Sequence, residues 1–295
     1  MSLGIEVNDL TLRYGATTAL DRLNCRLDGG KIYGLIGRNG SGKTSLLSVL
    51  AAFRPATAGT VRVGGEDPFE NERITRQICL IREGGDIFAS ERIRDVVAFA
   101  RAVRPHWDQP YAESLLDRFG LSLRQRPQRL SRGQRSALAC VLGLASRAPL
   151  TIFDESYLGM DAPSRYAFYD ALLADYAAHP RTVILSTHLI EEFEALFEEV
   201  VIIHRGRVLR HDRVEALSGA GVAVTGPAAL VAEFVAGTDL ATLGQRRLGG
   251  TTQVTLYGRL DEGGHRRAET TGLHLEPVAL QDLFVHLTAD QEEPS

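Results

Sequence analysis

Residues 37–44 read Gly37-Arg38-Asn39-Gly40-Ser41-Gly42-Lys43-Thr44, a phosphate-binding loop of the form G-x-x-x-x-G-K-[ST]. Its glycines let backbone N–H groups curl round phosphate oxygens, and a helix starting there adds the positive end of its dipole. Lys43 would reach the β- and γ-phosphates, and the Thr44 hydroxyl would ligate Mg²⁺. Among 33 basic residues only Lys31 and Lys43 are lysine, so a chain built on arginine places a lysine where this loop needs one. A second chemistry lies in Thr151-Ile152-Phe153-Asp154-Glu155. At a strand end, Asp154 would hold Mg²⁺ and Glu155 would take a proton from attacking water. The bland alternative is an acidic cap for the next helix. Leu130-Ser131-Arg132-Gly133-Gln134 opens a helical segment 23 positions before Asp154; its hydroxyl and glycine N–H groups form an anion site or a plain helix cap. Ser186-Thr187-His188 puts an imidazole at a strand end, where it could hydrogen-bond a γ-phosphate.

The surrounding pattern supplies elements to carry these groups. Apolar–polar alternation predicts strands over 4–13 and 20–27, with further strands at 59–63, 77–81 and 182–185. Residues 31–36 and 150–153 read as buried parallel strands. Helical spacing is expected over 44–53, 90–103, 111–119, after Ser131, and over 163–178. Strands 199–204 and 207–211 flank Arg205-Gly206, a tight hairpin signal. After about Glu215 the character changes. Ser218-Gly219-Ala220-Gly221 resembles a linker, followed by strands at 221–224 and 253–257, helices near 227–235 and 280–287, and a frayed tail at 291–295.

Composition narrows the class. The chain has 295 residues, 44% apolar and 24% charged, with a net charge of −4. That balance gives no electrostatic case for nucleic acid, and none is expected as a partner. Cys25, Cys79 and Cys140 stand singly, which implies neither a zinc site nor a disulfide framework. Residues 1–6 lack the basic and apolar regions of a signal peptide, and no apolar run nears the ~18 residues a membrane span needs. A cytoplasmic chain is expected, held at a membrane only through another subunit.

The order of phosphate loop, Leu-Ser-x-Gly-Gln signature, acidic strand and His resembles the ATP-binding subunit of ABC transporters over roughly residues 1–215. The closest likeness is to bacterial ABC-2-type exporter ATPases, through Arg54-Pro55-Ala56-Thr57-Ala58-Gly59 and the closing segment 280–288. The resemblance implies an α/β fold: a phosphate-loop NTPase core (1–215) with a mixed β-sheet and an inserted helical subdomain at about 84–145; residues 216–295 read, from their own strand and helix pattern, as a small α/β appendage. The resemblance assigns ATP binding to Tyr14, by stacking on adenine, and to the loop residues 37–45, including Ser45. Catalysis falls to Lys43, Glu155 and His188, and Mg²⁺ to Thr44, Asp154 and Glu83. Ser131, Arg132, Gly133 and Gln134 would face the ATP of a second subunit, and Asp161 would be the aspartate of the loop after the acidic strand. The implied assembly is a homodimer or heterodimer of ATPase subunits under a polytopic membrane subunit, on the inner face of the cell membrane. A soluble ATP-driven regulator is the alternative. The chain departs from the family pattern at Glu83, where a glutamine is usual, at Arg132, where glycine is frequent, and at Ser156, where proline is usual. Residues 216–295 could strengthen dimerisation, regulate, or cover the sheet.

Overall fold

A computed structural model describes residues 2–83 and 90–288. The chain divides into two compact units, Met1–His188 with Ala195–His211, and Leu189–Glu194 with Asp212–Ser295. In chain order the elements are β1 (Ile5–Tyr14), β2 (Thr17–Leu27), β3 (Ile32–Ile36), α1 (Lys43–Leu50), β4 (Ala58–Val63), α2 (Glu72–Thr75) and β5 (Ile78–Arg82). Then follow α3 (Ile93–Val103), α4 (Gln109–Arg118), α5 (Arg132–Ser146), β6 (Leu150–Asp154), α6 (Ala162–Ala178), β7 (Thr182–Thr187), α7 (Ile190–Phe193), β8 (Glu199–His204) and β9 (Arg207–Arg213). The remainder is α8 (Val214–Ser218), β10 (Gly221–Pro227), α9 (Ala228–Ala236), β11 (Ala241–Leu248), β12 (Thr251–Tyr257), α10 (Glu262–Thr270), β13 (His274–Pro277) and α11 (Leu280–Thr288).

The first unit holds two sheets. One is a six-stranded sheet ordered β5-β6-β7-β3-β8-β9, and the other a three-stranded antiparallel sheet ordered β2-β1-β4. Strands β5, β6, β7, β3 and β8 run parallel. Every residue of β3, β6 and β7 is buried, which is why 31–36 and 150–153 read as mainly apolar stretches rather than alternations. The β8–β9 turn has Arg205 at φ 48° and Gly206 at φ 76°, the double positive φ of a two-residue hairpin. Helix α1 buries Leu46, Leu47, Val49 and Leu50. One core joins these to Leu10, Leu20 and Val61 of the small sheet and to Tyr33, Leu35, Ile152 and Ile184 of the large one.

Several boundaries differ from expectation for local reasons. Helix α3 starts at Ile93 rather than Ser90, held by Asp95, whose carboxylate accepts from Arg92 N. Helix α4 starts two residues early because Asp108 caps it, accepting from Tyr111 N at 2.8 Å. Helix α1 stops at Leu50, short of Phe53. Within the stretch read as a helical subdomain, residues 84–89 lie outside the described residues, as does the tail 291–295.

In the second unit the stretch read as a linker holds the end of α8 and the start of β10. Strands β10 to β13 form an antiparallel sheet ordered β11-β12-β10-β13. With α9 after β10 and α10 after β12, the succession is βαββαβ, the ferredoxin-like arrangement. Its core is Val222, Val224, Val231, Phe234, Val254, Leu256, Ala268 and Leu273.

Candidate functional site

Parallel register decides where the chemistry gathers. Arg82 pairs with Asp154, Asp154 with Ser186, and Thr187 with Ile36. The C-terminal ends of β5, β6, β7 and β3 therefore lie on one edge, where open α/β sheets bind ligands. That edge carries Glu83, Asp154 and Glu155, His188, and the loop 37–44. A cleft of about 710 Å³ opens there, lined by Tyr14, Ala19, residues 38–45, Arg82, Glu83, Asp154 and Glu155.

The loop is built as its sequence requires. Gly42, the residue before α1, has φ 111°, and a Cβ on it would stand 2.8 Å from the Ala19 carbonyl oxygen. Any larger residue would clash there. No side chain caps α1 and no acidic residue occupies its first turn, so its free N–H groups remain for an anion. Lys43 is 5% exposed. Its Nζ donates to Gly37 O at 2.6 Å and stands 3.3 Å from Glu155 Oε1.

Glu155 joins two sequence-predicted groups. Its other oxygen, Oε2, lies 3.4 Å from His188 Nδ1, giving a Lys43–Glu155–His188 chain across the edge. Glu155 has φ 48°, the left-handed region that costs a non-glycine residue on the order of 1–3 kcal/mol. Its backbone N–H donates to Ser186 O at 3.3 Å, which ties this turn to the end of β7. The acidic-cap reading of Asp154 and Glu155 is overturned. Helix α6 begins only at Ala162, and its cap is Asp161, which accepts from Ser164 N at 2.9 Å.

Asp154 is 5% exposed, and burial pushes its carboxyl above the ordinary carboxylate range, opposed by the nearby Ser186 and Thr44 hydroxyls. Its buried Oδ1 has no hydrogen-bond partner. An orphaned carboxylate oxygen beside a threonine hydroxyl, both lining a phosphate-type cleft, is a donor set that fits Mg²⁺ shared with phosphate oxygens. Among the described residues no group of three His, Cys, Asp or Glu side chains could hold a metal alone, and this donor set requires none.

Tyr14 is 39% exposed at the cleft. Its Oη lies 3.4 Å from Ser45 Oγ, and Arg54 stacks over its ring at 4.8 Å. Sequence reasoning missed Arg54, because a stacking partner 40 residues away leaves no local pattern. Ser131 and Gln134 form a reciprocal cap. Gln134 N donates to Ser131 Oγ at 3.1 Å, and Ser131 N donates to Gln134 Oε1 at 3.0 Å. The hydroxyl keeps its own proton to donate elsewhere, so cap and anion site are compatible. Ser136 Oγ donates to Leu158 O at 2.6 Å, fixing α5 to the loop that leads to Asp161. Arg132 does not stand free, because its guanidinium donates to Glu83 of the same chain. Tyr157, also unforeseen, is fully buried, with Oη 2.6 Å from Thr187 Oγ1 beside His188.

The family model described as ABC transporter matches residues 20–157. The bacitracin transport ATP-binding protein BcrA of Bacillus licheniformis is 30% identical over 213 residues, covering 71% of this chain and 69% of BcrA. The sulfate/thiosulfate import ATP-binding protein CysA of Nitrosomonas europaea is 30% identical over 213 residues, covering 69% of this chain and 59% of CysA. A solved structure of an ATP-binding subunit of an ABC transporter superposes with TM-score 0.66 at 25% identity, covering 72% of this chain and 91% of that one. The chain belongs to the ABC transporter family and is an ATP-binding cassette ATPase of that family.

Proposed function

We propose that this chain is the ATP-hydrolysing subunit of a bacterial ABC exporter, acting from the inner face of the membrane through a separate polytopic subunit. The observation that carries the reading is the Lys43–Glu155–His188 chain at the mouth of the phosphate loop. Lys43 and the N–H groups of α1 would bind the β- and γ-phosphates of ATP. With Lys43 on phosphate, Glu155 would turn to the attacking water and take its proton. His188 Nδ1, on the far oxygen of Glu155, would orient that carboxylate and meet the γ-phosphate. Thr44, Asp154 and Glu83 would hold Mg²⁺, which when bound neutralises charge on the phosphate oxygens.

The signature group lies on α5 rather than in the chain's own cleft lining. Ser131 and Gly133 are therefore assigned to the ATP of a second ATPase subunit, identical or related, so that ATP favours a closed dimer and hydrolysis lets it open. Export rests on the likeness of segments 54–59 and 280–288 to ABC-2-type ATPases; the relatives include both a bacitracin-transport and a sulfate-import protein. Among the described residues no helix is long and apolar enough to cross a membrane, in keeping with a separate membrane subunit. The test is phosphate release from Mg–ATP, measured with and without a polytopic membrane protein that co-purifies with this chain, reconstituted in vesicles. Stimulation supports the reading. Equal rates with and without it favour the soluble regulator.

A further inference from the structure

Two of the three positions that depart from the family pattern, Glu83 and Arg132, meet each other. Arg132 Nη2 donates to Glu83 Oε1, 49 residues away in sequence. Arg132 is the first residue of α5, directly after the Ser131 cap. Glu83 follows β5 and lines the phosphate cleft. The stem of the arginine is guided by Gly159, at φ +87°. A Cβ there would stand 2.7 Å from Arg132 Cγ and 2.9 Å from its Cδ, so only a glycine leaves that path open. One carboxylate thus faces the signature helix on one side and the cleft on the other.

We propose that Arg132 and the Mg²⁺ of bound Mg–ATP compete for Glu83, making this pair a latch between the chain's own ATP cleft and its signature helix. The inference rests on the proposed function. A guanidinium and a dication on one carboxylate repel each other, so occupation by one weakens the other. With the cleft empty, the signature arginine is tied to its own chain. With the cleft loaded, Glu83 turns to the metal and the Arg132 charge is released toward the nucleotide of the second subunit. Both side chains are about half exposed, 63% and 48%, so the pair biases the equilibrium by roughly 2- to 5-fold rather than blocking it.

The test titrates the whole chain with the non-hydrolysable analogue AMP-PNP, once in EDTA and once in excess Mg²⁺, by calorimetry. Arg132→Gln is expected to tighten binding about 2- to 5-fold in Mg²⁺ and to leave it unchanged in EDTA. In a Glu83→Gln background the same substitution is expected to change neither value. No gain from Arg132→Gln in Mg²⁺, or an equal gain when Glu83 is absent, overturns the competition. Failure of the wild-type chain to bind AMP-PNP in either buffer refutes the proposed function itself, and the latch with it.

Discussion

Glu155→Gln separates binding from chemistry, because the structure gives Glu155 two distinct duties. Its carboxylate is the proposed base, and it is also the counter-ion of a lysine that is 5% exposed. The amide keeps size and shape but cannot take a proton. General-base catalysis contributes about 10²- to 10⁴-fold, or ~3–5 kcal/mol of barrier at 1.36 kcal/mol per decade. Phosphate release should fall by about that factor. ATP affinity should hold or rise, since a negative charge leaves the neighbourhood of the triphosphate. The second duty sets a cost to the empty protein. Removing one partner of a buried ion pair costs about 3–5 kcal/mol. Glu155 is 17% exposed and Lys43 keeps its bond to Gly37 O at 2.6 Å, so about 1–2 kcal/mol is expected. At roughly 2–4 °C per kcal/mol, the melting temperature of the nucleotide-free variant should drop by ~2–8 °C. ATP should restore it, because phosphate replaces the missing anion. The assays are phosphate release, calorimetric titration with ATP, and thermal melting with and without ATP. Wild-type turnover in the variant would refute the base assignment. Lost ATP binding would show that Glu155 belongs to the phosphate cradle instead.

Three further outcomes follow from the geometry. Asp154 is held above the ordinary carboxylate range by burial, so its ionised form burdens the empty fold. That burden is absent below the ordinary carboxylate pKa and fully present above the raised one. Asp154→Asn should therefore raise the melting temperature of the nucleotide-free protein at neutral pH while weakening the Mg²⁺ dependence of ATP affinity; a lowered melting temperature would contradict it. Tyr14→Ala should weaken ATP binding by about 1–3 kcal/mol, the worth of one base–aromatic stack, whereas Tyr14→Phe should retain it; equal affinities for both variants would remove Tyr14 from the site. Asp175 pairs with Arg181 at 2.7 Å and with Arg147 at 3.1 Å, and its side chain and that of Arg181 are almost wholly buried. Asp175→Ala should cost about 3–5 kcal/mol in denaturant unfolding, and a loss under about 1 kcal/mol would show that the pair is not desolvated.

The site was legible in the sequence where chemistry and local structure coincide. Glycines 37, 40 and 42, Lys43 and the acidic run at 154–155 each belong to one short segment, and the parallel strands before them read as apolar runs. What escaped depends on contacts between distant segments. The Glu83–Arg132 pair, the Arg54–Tyr14 stack and the Tyr157–Thr187 bond join residues tens of positions apart, and neither member signals the other. The second unit was less legible for another reason. Strand β11 runs Gly244-Gln245-Arg246-Arg247 through its centre, with little buried apolar surface to mark alternation. Helix α10 buries only Gly264 and Ala268 and carries two glycines in its first turn, against helix propensity. It forms because Asp261 accepts from Gly264 N at 2.6 Å and because its narrow apolar face packs near β13. Without β11, α10 and β13 the βαββαβ order could not be read, and the region passed for an undefined α/β appendage.

The central claim is that Lys43, buried against Gly37 O and Glu155, is the group that takes the phosphates of ATP. The most direct measurement is a calorimetric titration of the whole chain and its Lys43→Ala variant with ATP in Mg²⁺, each first shown to be folded by circular dichroism. A charged hydrogen bond to phosphate is worth about 1.5–3 kcal/mol, so the variant should bind roughly 10- to 150-fold more weakly, at 1.36 kcal/mol per decade. Unchanged affinity in a folded variant would contradict the account.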